Sequence, residues 1–141
     1  MKVVLDTNIW LSGLFWEGEA NKLIKLAEKG KINVIISRGI INEILDVLNK
    51  ETKFSKFLAD KKRMIEDLIR TILSITELIE TTSKLSIIKS HPADNIILEA
   101  ALDGKANYII SYNKHILDLV EFRDIRILHP GDFLRLVSRN N

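Results

Sequence analysis

Polar and apolar positions along this chain are grouped in blocks rather than alternating singly. Residues 3–5 are uninterruptedly apolar and stop at Asp6, with Thr7 and Asn8 behind it. Such a run suits a strand buried on both faces, as in a parallel sheet. Comparable runs occupy 32–36, broken only by Asn33, then 107–111 and 125–128, with a shorter one at 77–80. Between them the apolar residues fall at helical spacing. Residues 9–15 read as a short helical segment weakened by Gly13, with Gly18 ending the connection. Ala20, Leu23, Ile24 and Ala27 give 19–29 one apolar face, and Gly30 stands where a C-cap glycine belongs. Ser37 offers an N-cap for a helix over about 39–49, with Glu43 in its second turn. Residues 50–75 predict two helices with a break at 58–60. Phe54, Phe57 and Leu58 line the first; Met64, Ile65, Leu68, Ile69 and Ile72 line the second. After a loop at 81–86 and a polar turn at 89–95, a helix over about 93–102 closes at Asp103-Gly104. A short helical segment covers 116–120, and Pro130 leads into a last helix over 132–137. Strands alternating with helices predict an α/β fold with a largely parallel sheet, without repeat or linker.

Composition narrows this picture without redirecting it. A length of 141 residues suits one domain, 1–141, with a single core. The hydrophobic and charged fractions, 46% and 28%, are those of an ordinary globular protein. A net charge of +2, from 21 basic and 19 acidic side chains, neither announces nor excludes a nucleic-acid partner, because local patches outweigh the sum. The most positive stretch is 50–63, where Lys50, Lys53, Lys56, Lys61, Lys62 and Arg63 face only Glu51 and Asp60. Read plainly it is a solvated helix face; read functionally it attracts a phosphate backbone. The absence of cysteine excludes disulfides and thiolate metal sites. No apolar run approaches the roughly 20 residues of a membrane span, and no signal-peptide pattern opens the chain, so a cytoplasmic location is expected.

The candidate chemistry lies in the blocks of polar residues that follow the strands. Asp6 ends the first strand, Glu43 lies early in the helix after the second, and Asp94 opens the helix before the strand at 107–111. Ser111, Tyr112 and Asn113 follow that strand. In a parallel sheet these groups converge on one edge, where α/β folds bind ligands. Gathering three carboxylates is electrostatically expensive without a cation, and Mg²⁺ or Mn²⁺ prefers oxygen ligands. Phosphodiester hydrolysis is the chemistry suited to such a cluster. Each acid also has a plain alternative: Asp6 and Asp94 as helix caps, Glu43 as a surface residue. Trp10, Phe15 and Trp16 read as core, or in part as a partner surface. His115 and His129 have no partner that the sequence identifies, and His91 reads as an exposed turn residue or a cation near phosphate.

Four stretches carry a resemblance: Val-Leu-Asp-Thr-Asn at 4–8, Ile-Ser-Arg-Gly-Ile-Ile-Asn-Glu-Ile at 36–44, His-Pro-Ala-Asp-Asn at 91–95, and Ala-Asn-Tyr-Ile-Ile-Ser-Tyr-Asn-Lys-His-Ile-Leu at 106–117. With the tail at 127–134, their order resembles the PIN-domain endoribonucleases, including VapC-type toxins of toxin–antitoxin pairs. The resemblance implies a three-layer α/β/α fold with a central sheet of four to five strands. It implies metal ligation by Asp6, Glu43 and Asp94, with Mg²⁺ or Mn²⁺ as cofactor. Thr7, Asn8 and Ser111 would position water or substrate, and Lys53, Lys56, Lys61, Lys62 and Arg63 would contact RNA. It also implies a homodimer or higher oligomer and an antitoxin partner covering the acidic cleft. This sequence departs from the family at Asn113, where relatives carry an acid, and at His91 and Ala93, where they read Asp. Asn113 still offers a carbonyl oxygen to a hard cation, without charge. Two functions follow: a metal-dependent ribonuclease, or a degenerate PIN domain that binds RNA or an antitoxin without turnover. A phosphoacceptor receiver domain ranks lower, because Asp6 has no acidic neighbour at the strand end.

Overall fold

The computed structural model describes residues 1–50 and 61–139. In chain order, strand β1 (Lys2–Leu5) is followed by helices α1 (Thr7–Phe15) and α2 (Glu19–Glu28). Strand β2 (Asn33–Ser37) leads into α3 (Arg38–Lys50), and helix α4 (Lys61–Ser74) into β3 (Thr76–Ile79). A single 3₁₀ turn (Pro92–Asp94) then opens α5 (Asn95–Asp103), followed by β4 (Tyr108–Ile110) and the one-turn α6 (Lys114–Leu117). A hairpin of β5 (Glu121–Phe122) and β6 (Ile125–Leu128) precedes α7 (Pro130–Arg139). The first helix expected within 50–75, its stripe of Phe54, Phe57 and Leu58, and Lys53 and Lys56 lie outside the described residues.

The six strands form one sheet in the order β3-β2-β1-β4-β6-β5, parallel throughout except for β5. Val3, Val4 and Leu5 alternate between the two faces of β1, and all three are fully buried. Helices therefore cover both faces, which is why these strands read as unbroken apolar runs. Helices α1 and α2 pack together, α2 meets α7, and α5 lies across β1, β2 and β4. The fold is α/β with helices flanking a mostly parallel sheet, as expected. Its sixth strand, β5, was not foreseen. Phe122 pairs with Ile125 across Arg123 and Asp124, which both adopt positive φ (46° and 67°). That is the geometry of a two-residue hairpin turn usually marked by Asn-Gly, and Arg-Asp carries no such mark.

Two glycines act through space. A Cβ on Gly13 would lie 2.6 Å from Ile24 Cγ1 and 2.8 Å from the Ala20 carbonyl oxygen, so Gly13 lets α1 and α2 touch rather than merely weakening α1. Gly104 does not take the left-handed conformation of a C-cap glycine: its φ is −84°, and Lys105 takes the positive φ of 56°. Its missing Cβ avoids Ile35 Cγ2 at 2.7 Å, where α5 ends against the sheet.

The segment from Glu80 to the 3₁₀ turn has no strand partner and is held instead by one row of side chains on α5. Asn95, Glu99 and Asp103 stand four residues apart and so share a helix face. Asp103 accepts from the Thr82 and Ser83 N–H groups and the Ser83 hydroxyl, and Glu99 accepts from Leu85 N–H. Asn95, 3% exposed, accepts from Ile87 and Ile88 N–H and donates to the Ile88 and Pro92 carbonyls. This amide substitutes for a strand pairing and sets the approach to Asp94. Replacing Asn95 with Ala strands several backbone groups in the interior, at about 1–3 kcal/mol per unsatisfied group. The Asn95→Ala variant is expected to be destabilised by about 3 kcal/mol or more in urea denaturation, and a loss below about 1 kcal/mol would show that the anchor is dispensable.

Candidate active site at the carboxyl edge of the sheet

The chain leaves β1 towards β2 and β3, then crosses back to β4 on the other side of β1. The reversal opens a crevice between the carboxyl ends of β1 and β4, the usual ligand position in such sheets. Asp6 emerges there from β1 and Ser111 from β4. Their backbones are joined by Asp6 N–H donating to the Ile110 carbonyl (3.0 Å), and the Ser111 hydroxyl donates to Asp6 Oδ2 (2.7 Å). The other oxygen of Asp6 accepts from Thr7 N–H at 2.7 Å, so Asp6 is at once a helix cap and a fixed, buried carboxylate, 5% exposed.

Ser111 extends the network in the other direction. Its oxygen accepts from Asn113 N–H at 2.9 Å, and Asn113 Nδ2 donates to Asp94 Oδ2 at 3.0 Å. Asp94 stands at the N-cap position of α5 but does not cap it. The capping alternative is thus the one its side chain does not take. The carbonyl oxygen of Asn113 accepts from His115 N–H and caps α6. In this geometry Asn113 donates to Asp94 through its amide nitrogen, while its side-chain oxygen accepts from His115 N–H and keeps a second lone pair. A continuous path therefore runs Asp6–Ser111–Asn113–Asp94.

A family model of the PIN domain matches residues 2–115. The chain belongs to the PIN-domain family. No curated protein matches it significantly. Among solved structures it is similar to VapBC2 from Rickettsia felis bound to a DNA fragment from their promoter, at 17% identity, TM-score 0.61, covering 92% of this chain and 98% of that one. It is also similar to a domain of a functionally unknown protein from Methanocaldococcus jannaschii DSM 2661, at 16% identity, TM-score 0.51, covering 91% and 89% of the two chains. Identities at this level speak for the fold alone. The resemblance seen at 4–8, 36–44, 91–95 and 106–115 lies within the matched stretch; the tail at 127–134 lies beyond it.

Electrostatics draw Glu43 into the same PIN-domain crevice. Burial raises the Glu43 carboxyl above its ordinary range; the Thr7 hydroxyl opposes this, and Asp6, Asp94 and Asp46 add repulsion. Burial likewise raises Asp6, against the hydrogen bonds from Ser111 and Thr7, with Asp94 again repelling. The Thr7 hydroxyl is buried and completes no hydrogen bond of good geometry, although it faces Glu43 closely enough to favour the ionised form. None of the ion pairs Arg38–Glu80, Arg70–Asp67, Lys114–Asp118 and Arg135–Asp132 involves Asp6, Glu43 or Asp94. Among the described residues no three His, Cys, Asp or Glu side chains are gathered closely enough to hold a metal ion by themselves. The oxygen donors of these acids are of the kind that suits a hard cation such as Mg²⁺, which keeps much of its own water, rather than a soft one.

The other expected residues fall outside this network. Asn8 is exposed and makes no hydrogen bond to the acids among the described residues. Lys61 donates to the Asn49 carbonyl at 2.8 Å, on the last turn of α3 and nearly two turns beyond Glu43, with Lys62 and Arg63 exposed next to it. Trp10 is fully buried, as expected of core, whereas Trp16 is 44% exposed. One pair was missed. The rings of His91 and His115 stack, with centroids 3.8 Å apart and planes at 27°. A separation of twenty-four residues left no sequence signal for it.

A carboxyl group raised by folding opposes stability when ionised. The penalty is complete above the raised pKa and is relieved as pH falls through it towards the ordinary value. In EDTA the Asp6→Asn variant is expected to melt a few degrees above the wild type at pH 8, with the gap closing towards about pH 4. A variant that melts lower at pH 8 would show that the Asp6 charge is not the strained element.

Proposed function

We propose that this PIN domain is a divalent-metal-dependent endoribonuclease that hydrolyses RNA phosphodiester bonds. The observation that carries this reading is the buried Asp6 carboxylate at the β1/β4 crevice, raised by burial and repelled by Asp94, with the half-buried Glu43 raised by burial beside it. Family membership supports it, since PIN domains are generally nucleases. Asp6, with Glu43 and Asp94 around it, would hold Mg²⁺ or Mn²⁺, and such an ion supplies charge neutralisation and Lewis acidity at a phosphodiester. The protein's part is orientation. Ser111 and the Thr7 N–H fix the two oxygens of Asp6, and Asn113, whose N–H donates to the same serine, fixes Asp94 directly through its amide. Glu43 and the Thr7 hydroxyl face each other beside these acids, where they would orient the attacking water. Lys61, Lys62 and Arg63, with Lys53 and Lys56, would draw in the RNA backbone, an attraction that weakens with salt.

The likeness to VapBC2 supports a role as the toxin of a toxin–antitoxin pair, with an antitoxin covering the acidic crevice, a homodimeric or higher assembly, and a cytoplasmic setting. Among the described residues no helix is long and apolar enough to cross a membrane. Cleavage of an RNA pool in Mn²⁺ should fall at least about a hundredfold in Asp6→Asn, the loss expected when a group acting in the transition state is removed. Mn²⁺ at ten times its Kd should stabilise the wild type by about 1.4 kcal/mol and leave that variant unmoved. Turnover that survives Asp6→Asn, or is indifferent to EDTA, would remove this assignment.

A second reading, a PIN domain that binds RNA or an antitoxin without turnover, is favoured by Asn113. Its amide donates to Asp94 where an acid would repel it. Asn113→Asp is expected to lower the melting temperature without metal and to enlarge the rise produced by Mn²⁺. A large accompanying gain in cleavage would identify the natural site as attenuated; unchanged cleavage would show that the amide is immaterial.

A further inference from the structure

Most of the crevice is explained by the carboxylates and the side chains that hold them, but the stacked imidazoles beside it are not. We propose that His91 and His115 form a base-stacking platform, on which a nucleobase of single-stranded RNA rests while the neighbouring phosphodiester lies at Asp6, Glu43 and Asp94. The proposal rests on the ribonuclease reading above and adds to it where the strand lies.

The pair is tied to the acids at both ends. The His91 carbonyl accepts from Asp94 N–H at 3.0 Å, and His115 N–H donates to the same Asn113 whose amide holds Asp94. The backbones that carry the two rings, in the 3₁₀ turn and the start of α6, are thus hydrogen-bonded to Asp94 and to the Asn113 that holds it. Both histidines are exposed, so the stack buries only their facing sides and leaves outer ring faces in water. Among the described residues neither ring makes a side-chain hydrogen bond or ion pair, so no local partner accounts for their being held there. An exposed pair of this kind adds little to a core. It offers a flat surface with ring nitrogens at its rim, which suits a base: stacking accepts any base, and the nitrogens reach its edge or the adjoining phosphate. The expected geometry is a strand that enters over the platform and turns its backbone into the crevice.

The experiment uses an unstructured dodecamer RNA labelled with fluorescein, with Asp6→Asn as the background protein so that the strand is not cut. Binding is read by fluorescence anisotropy, and wild-type cleavage of the same RNA is measured in parallel. His91→Ala and His115→Ala are each expected to weaken binding about tenfold, while His91→Phe and His115→Phe, which keep a stacking face, stay within about twofold. Thermal melts of the alanine variants within a few degrees of the background exclude misfolding. An abasic nucleotide walked along the RNA should cost the background protein about tenfold at one position and cost the alanine variants nothing further there. A merely structural role for the pair would leave that position equally sensitive in both proteins. If the wild type cuts the RNA and the alanine variants bind as tightly as the background, the platform is wrong and the ribonuclease reading stands. If the wild type neither binds nor cuts RNA, both fall together.

Discussion

The structure turns on a buried carboxylate held between two strands. Asp6 lies where β1 ends, and the Ser111 hydroxyl from β4 reaches it across the point at which the chain reverses direction through the sheet. Burial makes the charge expensive, and the two hydrogen bonds it accepts offset only part of that cost. The neighbouring side chains are linked to that carboxylate in turn. Ser111 is itself positioned by Asn113, Asn113 by its place at the head of α6, and Asp94 by Asn113. A network in which each donor is already committed has little freedom to rearrange.

The same constraint explains the effort spent on the segment before the 3₁₀ turn. Residues between β3 and that turn lack a ladder partner, and an unpaired backbone there would leave Asp94 loosely placed. Asn95, Glu99 and Asp103 supply the missing acceptors and donors from one face of α5. For Asp103 these bonds hold the carboxyl below its ordinary range, led by that from the Ser83 hydroxyl, opposite to what burial does to Asp6 and Glu43. Asp103, which serves the scaffold, is stabilised as an anion by hydrogen bonds; Asp6 and Glu43, in the crevice, are strained as anions. That contrast separates the two classes more clearly than their positions in the sequence do.

At position 113 the family resemblance implies an acid, and this chain has Asn. An acid there would add charge to a crevice that already repels itself, and would need a cation to be tolerated. An amide lets the protein close the Asp6–Ser111–Asn113–Asp94 path with hydrogen bonds alone. The result is a crevice ordered by its own hydrogen bonds, with the His91–His115 stack on the segments that flank it.

Much of this was legible along the chain. Unbroken apolar runs ending in polar residues identified the parallel strands, because a strand covered on both faces has no position to spare for polar alternation. Helical spacing located the covering helices, and the order of Asp6, Glu43 and Asp94 marked the crevice edge. Other features could not be read there. The β5–β6 turn adopts its positive φ values without glycine, and Gly13 and Gly104 are demanded by neighbours distant in sequence. Asp6 caps α1 through one oxygen and accepts from Ser111 through the other, a second contact that no local pattern revealed. The direction of the Asn113 amide, the raised pKa values and the meeting of two histidines all depend on through-space contacts between segments far apart in the chain. Local pattern determines which residues line a strand end. Only the packed sheet determines which of them touch.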